Sequence, residues 1–253
     1  MRFYLGVHKP AWVAATDVPL FLSYRRLAGL RRLPRARGPY AIDSGGFSEL
    51  SMNARWTFSA ARYADDVRRF AAEIGPPDFV AVQDYMCEAA ILAKTGLTVE
   101  EHQKRTIASY LELRELAPEI PWAPVLQGWT WGDYEDHVAS YERAGVDLRA
   151  LPIVGVGSIC RRQQTTRAAI LLRSLASEGL RVHAFGMKVQ GLAAVADCIT
   201  SADSMAWSYG ARRQRRDGSA RLTNCPHASC ANCLDYALVW RALLLERLGR
   251  RAA

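Results

Sequence analysis

The sequence predicts an α/β protein folded as a TIM-type (β/α)8 barrel with a small extra element at its C-terminal end. Three observations lead there. Short runs of β-forming residues alternate with longer stretches of helical period, which implies parallel strands joined by right-handed crossovers. The chain has 253 residues, close to the ~250 that such a barrel needs. Six of the apolar runs end in glycines or polar residues, and three of those endings carry an aspartate. A doubly wound open sheet is the other arrangement with this alternation, but no glycine-rich phosphate fingerprint follows the first run.

In chain order, strands are expected at 3–7, 40–42, 79–82, 123–126, 153–156 and 182–185, with a short one at 201–205. Helices are expected at 59–74, 99–116, 131–144, 163–177 and 193–199. Tyr63, Val67, Phe70 and Ile74 recur at three- and four-residue steps and give the first of these helices one apolar face. The segment 234–251 is apolar and then basic, a terminal helix that packs on the barrel. The expected division is a barrel over 1–210, followed over 211–253 by a basic loop, a cysteine-rich element and that helix.

Half of the residues are hydrophobic and 23% are charged, which excludes a disordered or collagen-like chain. No apolar run approaches the ~20 residues of a membrane span, and the N-terminus lacks a secretory pattern. A soluble, cytoplasmic protein with no membrane partner is therefore expected. Lys and Arg number 33 against 25 acids, a net charge of +8. Arginine dominates, and its forked guanidinium suits phosphate, so a polyanionic partner is expected; a GC-rich genome would also enrich arginine. Arg25, Arg26, Arg31, Arg32, Arg35 and Arg37 form one basic stretch. Arg212, Arg213, Arg215, Arg216 and Arg221 form a second, read as a loop contacting phosphates, with a merely solvated surface as the alternative.

The endings themselves are Asp43-Ser44-Gly45-Gly46, Gln83-Asp84, Gln127-Gly128, Gly155-Val156-Gly157, Gly186-Met187 and Asp203. In a parallel barrel the C-terminal strand ends share one face, where catalytic groups sit. Turns alone demand glycine and polar residues; carboxylates at three endings predict an active site.

Cys87, Cys160 and Cys198 are isolated and read as buried or half-buried thiols, whereas Cys225, Cys230 and Cys233 fall within nine residues together with His227. Three thiolates and an imidazole match the tetrahedral ligand set of a structural zinc ion. Asp235, an upstream histidine or water are alternatives to His227 as the fourth ligand. Among the other histidines, His8 either lines the mouth or sits at the surface. His183 is expected in the core, and His102 and His137 are expected to be exposed on helices.

The run Asp43-Ser44-Gly45-Gly46-Phe47 resembles the Asp-Ser-Gly-Gly-Phe-Gln motif of the guanine transglycosylases, which exchange guanine for a 7-deazaguanine base. The later endings follow in the family's order: Asp84, Val125-Leu126-Gln127-Gly128, Gly155-Val156-Gly157-Ser158, Asp203, a basic stretch and a cysteine-rich zinc site. The likeness covers nearly the whole chain. Ser48 stands where tRNA-modifying members usually carry Gln, the cysteine spacing differs from theirs, and the chain is shorter. In these respects it resembles the compact DNA-guanine transglycosylase (DpdA) branch.

The resemblance implies specific roles. Asp203 would attack C1′ and displace guanine, leaving a covalent glycosyl-enzyme, and Asp43 would take the N9 proton of the incoming base. Asp84 would accept N1–H and the 2-amino group, and Gln127 would donate to O6 with a backbone N–H near Gly157 assisting. Gly155, Ser44, Gly45 and Gly46 complete the expected pocket, with Tyr85 or Met187 sandwiching the base, although either side chain could equally be core. The implied partners are DNA in preference to tRNA, and 7-cyano-7-deazaguanine (preQ0) or a close derivative. Members acting on tRNA dimerise, which makes a homodimer a candidate assembly. A tRNA enzyme and an inactive barrel that binds nucleic acid are the alternatives; retention of Asp43, Asp84, Gln127 and Asp203 together argues against the latter.

Overall fold

A computed structural model of the chain describes residues 1–159, 166–187, 189–217 and 222–252. Cys160, Arg221 and the expected helix start at 163 lie outside the described residues. The strand segments are β1 (Arg2–Val7), β2 (Leu20–Ser23), β3 (Tyr40–Asp43), β4 (Val80–Ala81), β5 (Trp122–Ala123), β6 (Val125–Leu126), β7 (Val154–Val156), β8 (Val182–Ala184) and β9 (Ser201–Ser204). Every described ladder is parallel, and β1 lies between β2 and β9, so the first strand pairs with the last.

The ring passes through an interruption at Pro124, which has no N–H to give to a ladder. Ala123 before it pairs with β4, and Val125 after it pairs with β7. The Pro124 carbonyl still accepts from Gly155 N at 2.8 Å. The segments β5 and β6 therefore act as one broken strand, and eight staves close the TIM-type barrel.

The helices are α1 (Tyr24–Leu27), α2 (Gly46–Asn53), α3 (Ala60–Ile74), α4 (Ala89–Thr95), α5 (Val99–Leu116), α6 (Trp131–Arg143), α7 (Thr166–Ser177), α8 (Val189–Ala193), α9 (Ala206–Asp217) and α10 (Leu234–Ala252). Their starts are chemically marked. The Ser59 and Thr98 side chains accept from Arg62 N and Glu101 N, and Thr130 with Asp133 forms a capping box. The apolar face of α3 is buried at Tyr63, Val67, Phe70 and Ile74 against the barrel.

Inside the ring, Tyr4, Phe21, Ala41, Phe79, Ala123 and Ile153 form a separate core with Phe185 packed on it. Inward positions of a barrel must fill its interior, and these rings form a floor. His183 sits fully buried among them, with ring centroids at 4.7 Å to Phe185 and 4.8 Å to Phe79. Its expected core position is what the structure has.

Four sequence expectations need correction. The strand β2 was not anticipated, because Leu20–Ser23 is a four-residue run that passes directly into α1 and an arginine-rich stretch. The residues Arg212 to Arg216 lie on α9, not on a loop; arginine and alanine favour helix, and α9 starts immediately after β9. The helix expected at 193–199 is α8, ending at Ala193, with turns after it. His102 and His137 are fully buried, because they lie on the barrel-facing sides of α5 and α6.

Candidate active site

The C-terminal ends of the strands surround a cavity of about 240 Å³. Asp43, Asp84, Gln127 and Asp203 all line it, with Gly46 and Gly157. Four side chains from four quarters of the sequence thus share one hollow, because each ends an inward-facing strand.

Asp43 ends β3, whose last ladder pair joins it to Ser23 of β2. Burial pushes its carboxyl up to about 7, and the nearby Asp84 and Asp203 carboxylates add to the rise. Hydrogen bonds from the Gly45 backbone and the Ser23 side chain oppose it. Gly45 takes φ 83°, a left-handed conformation that glycine adopts without strain, and so turns the chain from the aspartate into α2.

Asp84 is pushed up to about 6 by burial, opposed by hydrogen bonds from Gln127 and Ser44. Gln127 Nε2 donates to Asp84 Oδ2 at 2.5 Å, and Ser44 Oγ donates to Oδ1 at 3.1 Å. This fixes the amide orientation: Nε2 faces Asp84 and Oε1 faces Ser158 Oγ at 2.7 Å. Ser158 Oγ also lies 3.0 Å from Glu88 Oε2 and accepts from Cys87 N at 2.8 Å. Gly157 is required here, because a Cβ would come within 2.2 Å of Gln127 Nε2.

The backbone of Gln127 is braced from behind. Its carbonyl accepts from Gln103 Nε2 at 2.8 Å, and its N–H donates to His137 Nδ1 at 2.9 Å. Burial lowers His137 to about 4, so the imidazole stays neutral and can accept.

Asp203, at the third position of β9, is 6% exposed. Its Oδ1 accepts from Gly186 N at 2.8 Å and faces His183 Nε2 at 3.5 Å.

Not every residue singled out in the sequence reaches the cavity. Ser44 is buried behind Asp84, and Gly155 packs against Phe185. Tyr85 points to a separate hollow and packs on His102 and Arg105. Met187 is buried in the surrounding core. The apolar walls of the cavity are Phe47, Met86, Phe185 and Met205 instead. Glu88, Ser158 and Ser23 also line it; Ser158 had been named within its motif without a role, and Glu88 and Ser23 had not been named. Ser158 directly follows the Gly155-Val156-Gly157 ending, which was the available signal; Glu88 and Ser23 carried none.

Two parts of the surroundings are basic. Arg212 and Arg213 are exposed on α9, and the backbone of Arg215 and Arg216 continues the same helix. His8 is half-buried beyond β1, its Nε2 3.2 Å from Ser208 Oγ. Burial lowers its pKa, and the Arg26 and Arg212 guanidiniums lower it further. Arg26 follows β2 and Arg212 follows β9, the two neighbours of β1, so both arginine stretches send a side chain to one sector of the rim. Arg25, by contrast, is engaged with the buried Glu49 at 2.7 Å.

Ligand atoms of Cys225, His227, Cys230 and Cys233 lie within 4.8 Å of one another, a set that could hold a metal ion. Cys225 Sγ and Cys233 Sγ are 3.3 Å apart, near the ~3.8 Å edge of a tetrahedron with metal–sulfur bonds of about 2.3 Å. His227 belongs to this set, as the sequence expectation had it.

No helix of the described residues is long and apolar enough to cross a membrane. No match was found among curated proteins. The sequence does match a family described as DpdA: DeoxyPurine in DNA protein A, over residues 1–250. With the match extending over the barrel, the aspartate-lined cavity and the cysteine-rich element alike, the chain belongs to the DpdA family.

Proposed function

We propose that this protein is a DNA-guanine transglycosylase that replaces guanine in DNA with a 7-deazaguanine base, preQ0 or a close derivative. The observation that carries the reading is that Asp43 and Asp203 face one cavity beside the coupled Asp84–Gln127 pair. Membership of the DpdA family supports DNA as the polymer.

Asp203 is the nucleophile. Its carboxylate forms a bond to C1′ of the target nucleotide as the C1′–N9 bond breaks. Asp43, held up to about 7, gives a proton to N9 of the departing guanine and later takes one from N9 of the incoming base. That base then attacks C1′, and Asp203 leaves. Asp84 accepts N1–H and the 2-amino group, and the second Nε2 hydrogen of Gln127 reaches O6. Adenine would leave these buried groups unpaired and is rejected. The target nucleotide has to leave its stack to enter the cavity, at a cost of a few kcal/mol that edge contacts and the apolar walls offset.

Arg212 and Arg213, with Arg215 and Arg216 further along α9, hold flanking phosphates. Cys225, His227, Cys230 and Cys233 bind a structural zinc ion that fixes the chain between α9 and α10; all four ligands come from protein, which suits a closed site.

The test is incubation with labelled guanine and either DNA or tRNA. Label entering DNA supports the reading; label entering tRNA alone would move the protein to RNA. No label in either would favour an inactive nucleic-acid-binding barrel.

A further inference from the structure

We propose that His183 is a positioning residue for Asp203: its Nε2–H holds Oδ1, so that Oδ2 is the oxygen presented to the sugar. This rests on Asp203 being the nucleophile, as argued above.

His183 is fully buried on β8, with Ser201 of β9 opposite it in the ladder. Its Nδ1 is 2.8 Å from Ser201 Oγ. Among the described residues its Nε2 is buried without a hydrogen-bond partner, and the nearest carboxylate oxygen is Asp203 Oδ1 at 3.5 Å. The rings of Tyr4, Phe21, Phe79 and Phe185 surround the imidazole, with centroids 4.7 to 6.0 Å away. They fix its plane and leave Nε2 little to face but the carboxylate.

The position of the hydrogen follows from the neighbours. If Nδ1 carried the only hydrogen, Nε2 would turn a lone pair towards a carboxylate oxygen inside an apolar cage, two acceptors facing each other. Ser201 Oγ–H donating to Nδ1 removes the conflict and puts the hydrogen on Nε2. A doubly protonated ring has it there too.

Oδ1 then lies between Gly186 N–H at 2.8 Å and His183 Nε2–H. Among the described residues both contacts fall on Oδ1, which leaves Oδ2 to the cavity. Contacts of this kind are often long before substrate arrives and tighten in the complex. In the glycosyl ester, C1′ is bonded to Oδ2, and Oδ1 becomes the ester carbonyl oxygen, still facing the same two donors. They therefore hold the carboxyl group in one orientation through formation and breakage of the bond.

Two variants separate this role from packing. His183→Phe keeps a ring in the cage and removes the donor, whereas His183→Gln keeps an amide N–H of similar reach. With wild-type exchange into DNA established, His183→Phe should slow single-turnover guanine release by about 10- to 100-fold while KM for DNA is unchanged. His183→Gln should recover most of the rate. Wild-type release by His183→Phe, or equal loss in both variants, would overturn the assignment.

A readout independent of activity is 15N NMR of the His183 ring in the full chain. The hydrogen is expected on Nε2, with a resonance that moves in Asp203→Asn. A ring protonated on Nδ1 alone would refute the contact. If the wild-type protein exchanges no base, the functional reading fails, and the NMR result still decides this one.

Discussion

Gln127 and Asp84, 43 residues apart, meet through one hydrogen bond of 2.5 Å between Nε2 and Oδ2. The bond joins the ends of two strands and converts separate polar groups into a single polar edge on the cavity. Ser44 on one side and Ser158 on the other extend it, so that neither side chain turns freely. In the proposed function, a preorganised edge of this kind would discriminate more sharply than mobile groups, because a mismatched base would leave its members unpaired.

Asp84→Asn should therefore damage recognition more than folding. The carboxamide offers one acceptor in place of two, and its N–H faces the guanine N1–H or 2-amino group. We expect kcat/KM for guanine exchange to fall by about 100-fold or more, with the far-ultraviolet circular dichroism spectrum unchanged. A variant with unaltered kcat/KM would remove Asp84 from base reading.

The raised carboxyl of Asp43 sets a pH dependence. In the proposed reaction the departing guanine takes its proton from Asp43, so exchange should decline as pH rises through about 7. Stability follows the same sign. Between the ordinary carboxylate range and about 7 the folded state binds more protons than the unfolded one, so stability falls as pH rises through that window. Asp43→Asn should flatten this fall and exceed wild type at pH 8 by on the order of 1–3 kcal/mol. Denaturant titrations at pH 5 and pH 8 measure it, and identical pH slopes in the two proteins would contradict the account.

Metal removal should act on the C-terminal element without touching the chemistry directly. Chelation, or Cys230→Ala, is expected to lower the melting temperature by about 5 °C or more and to increase proteolysis between α9 and α10. Elemental analysis should find one zinc per chain. Absence of metal together with an unchanged melting profile would reject the site.

The rim arginines should show themselves through salt. Arg212→Glu with Arg213→Glu is expected to weaken DNA binding and to reduce the slope of log K against log salt by about 1 for each phosphate no longer neutralised. Adding Arg26→Glu should reduce it further, since Arg26 and Arg212 both act on His8. An unaltered slope in the triple variant would count against phosphate binding at this sector.

Much of this site was legible because strand ends carry their chemistry in the local sequence. Asp43, Asp84, Gln127 and Asp203 each close a short apolar run, and a parallel barrel sends all such ends to one face. The cysteine cluster was legible for a similar reason, since its ligands are neighbours in the chain. What stayed hidden depends on which side of an element faces inward. Tyr85 and Met86 are adjacent, yet Met86 lines the cavity and Tyr85 does not, and one residue of register decides between them. His102 and His137 read as exposed because polar residues on amphipathic helices usually are. Each instead meets a backbone group, at Met86 and Gln127, that a burial pattern cannot reveal. The strand Leu20–Ser23 was obscured by the arginines that follow it, and with it the Ser23 contact to Asp43.

The most direct test of the central claim is to look for the ester itself. A guanine-containing DNA oligonucleotide is mixed with the protein in the absence of added base, the reaction is denatured, and the adduct is mapped by peptide mass spectrometry. The account predicts a protein–DNA adduct on Asp203, abolished in Asp203→Asn although that variant still folds and binds DNA. An adduct on another residue, or full base exchange by Asp203→Asn, would contradict it.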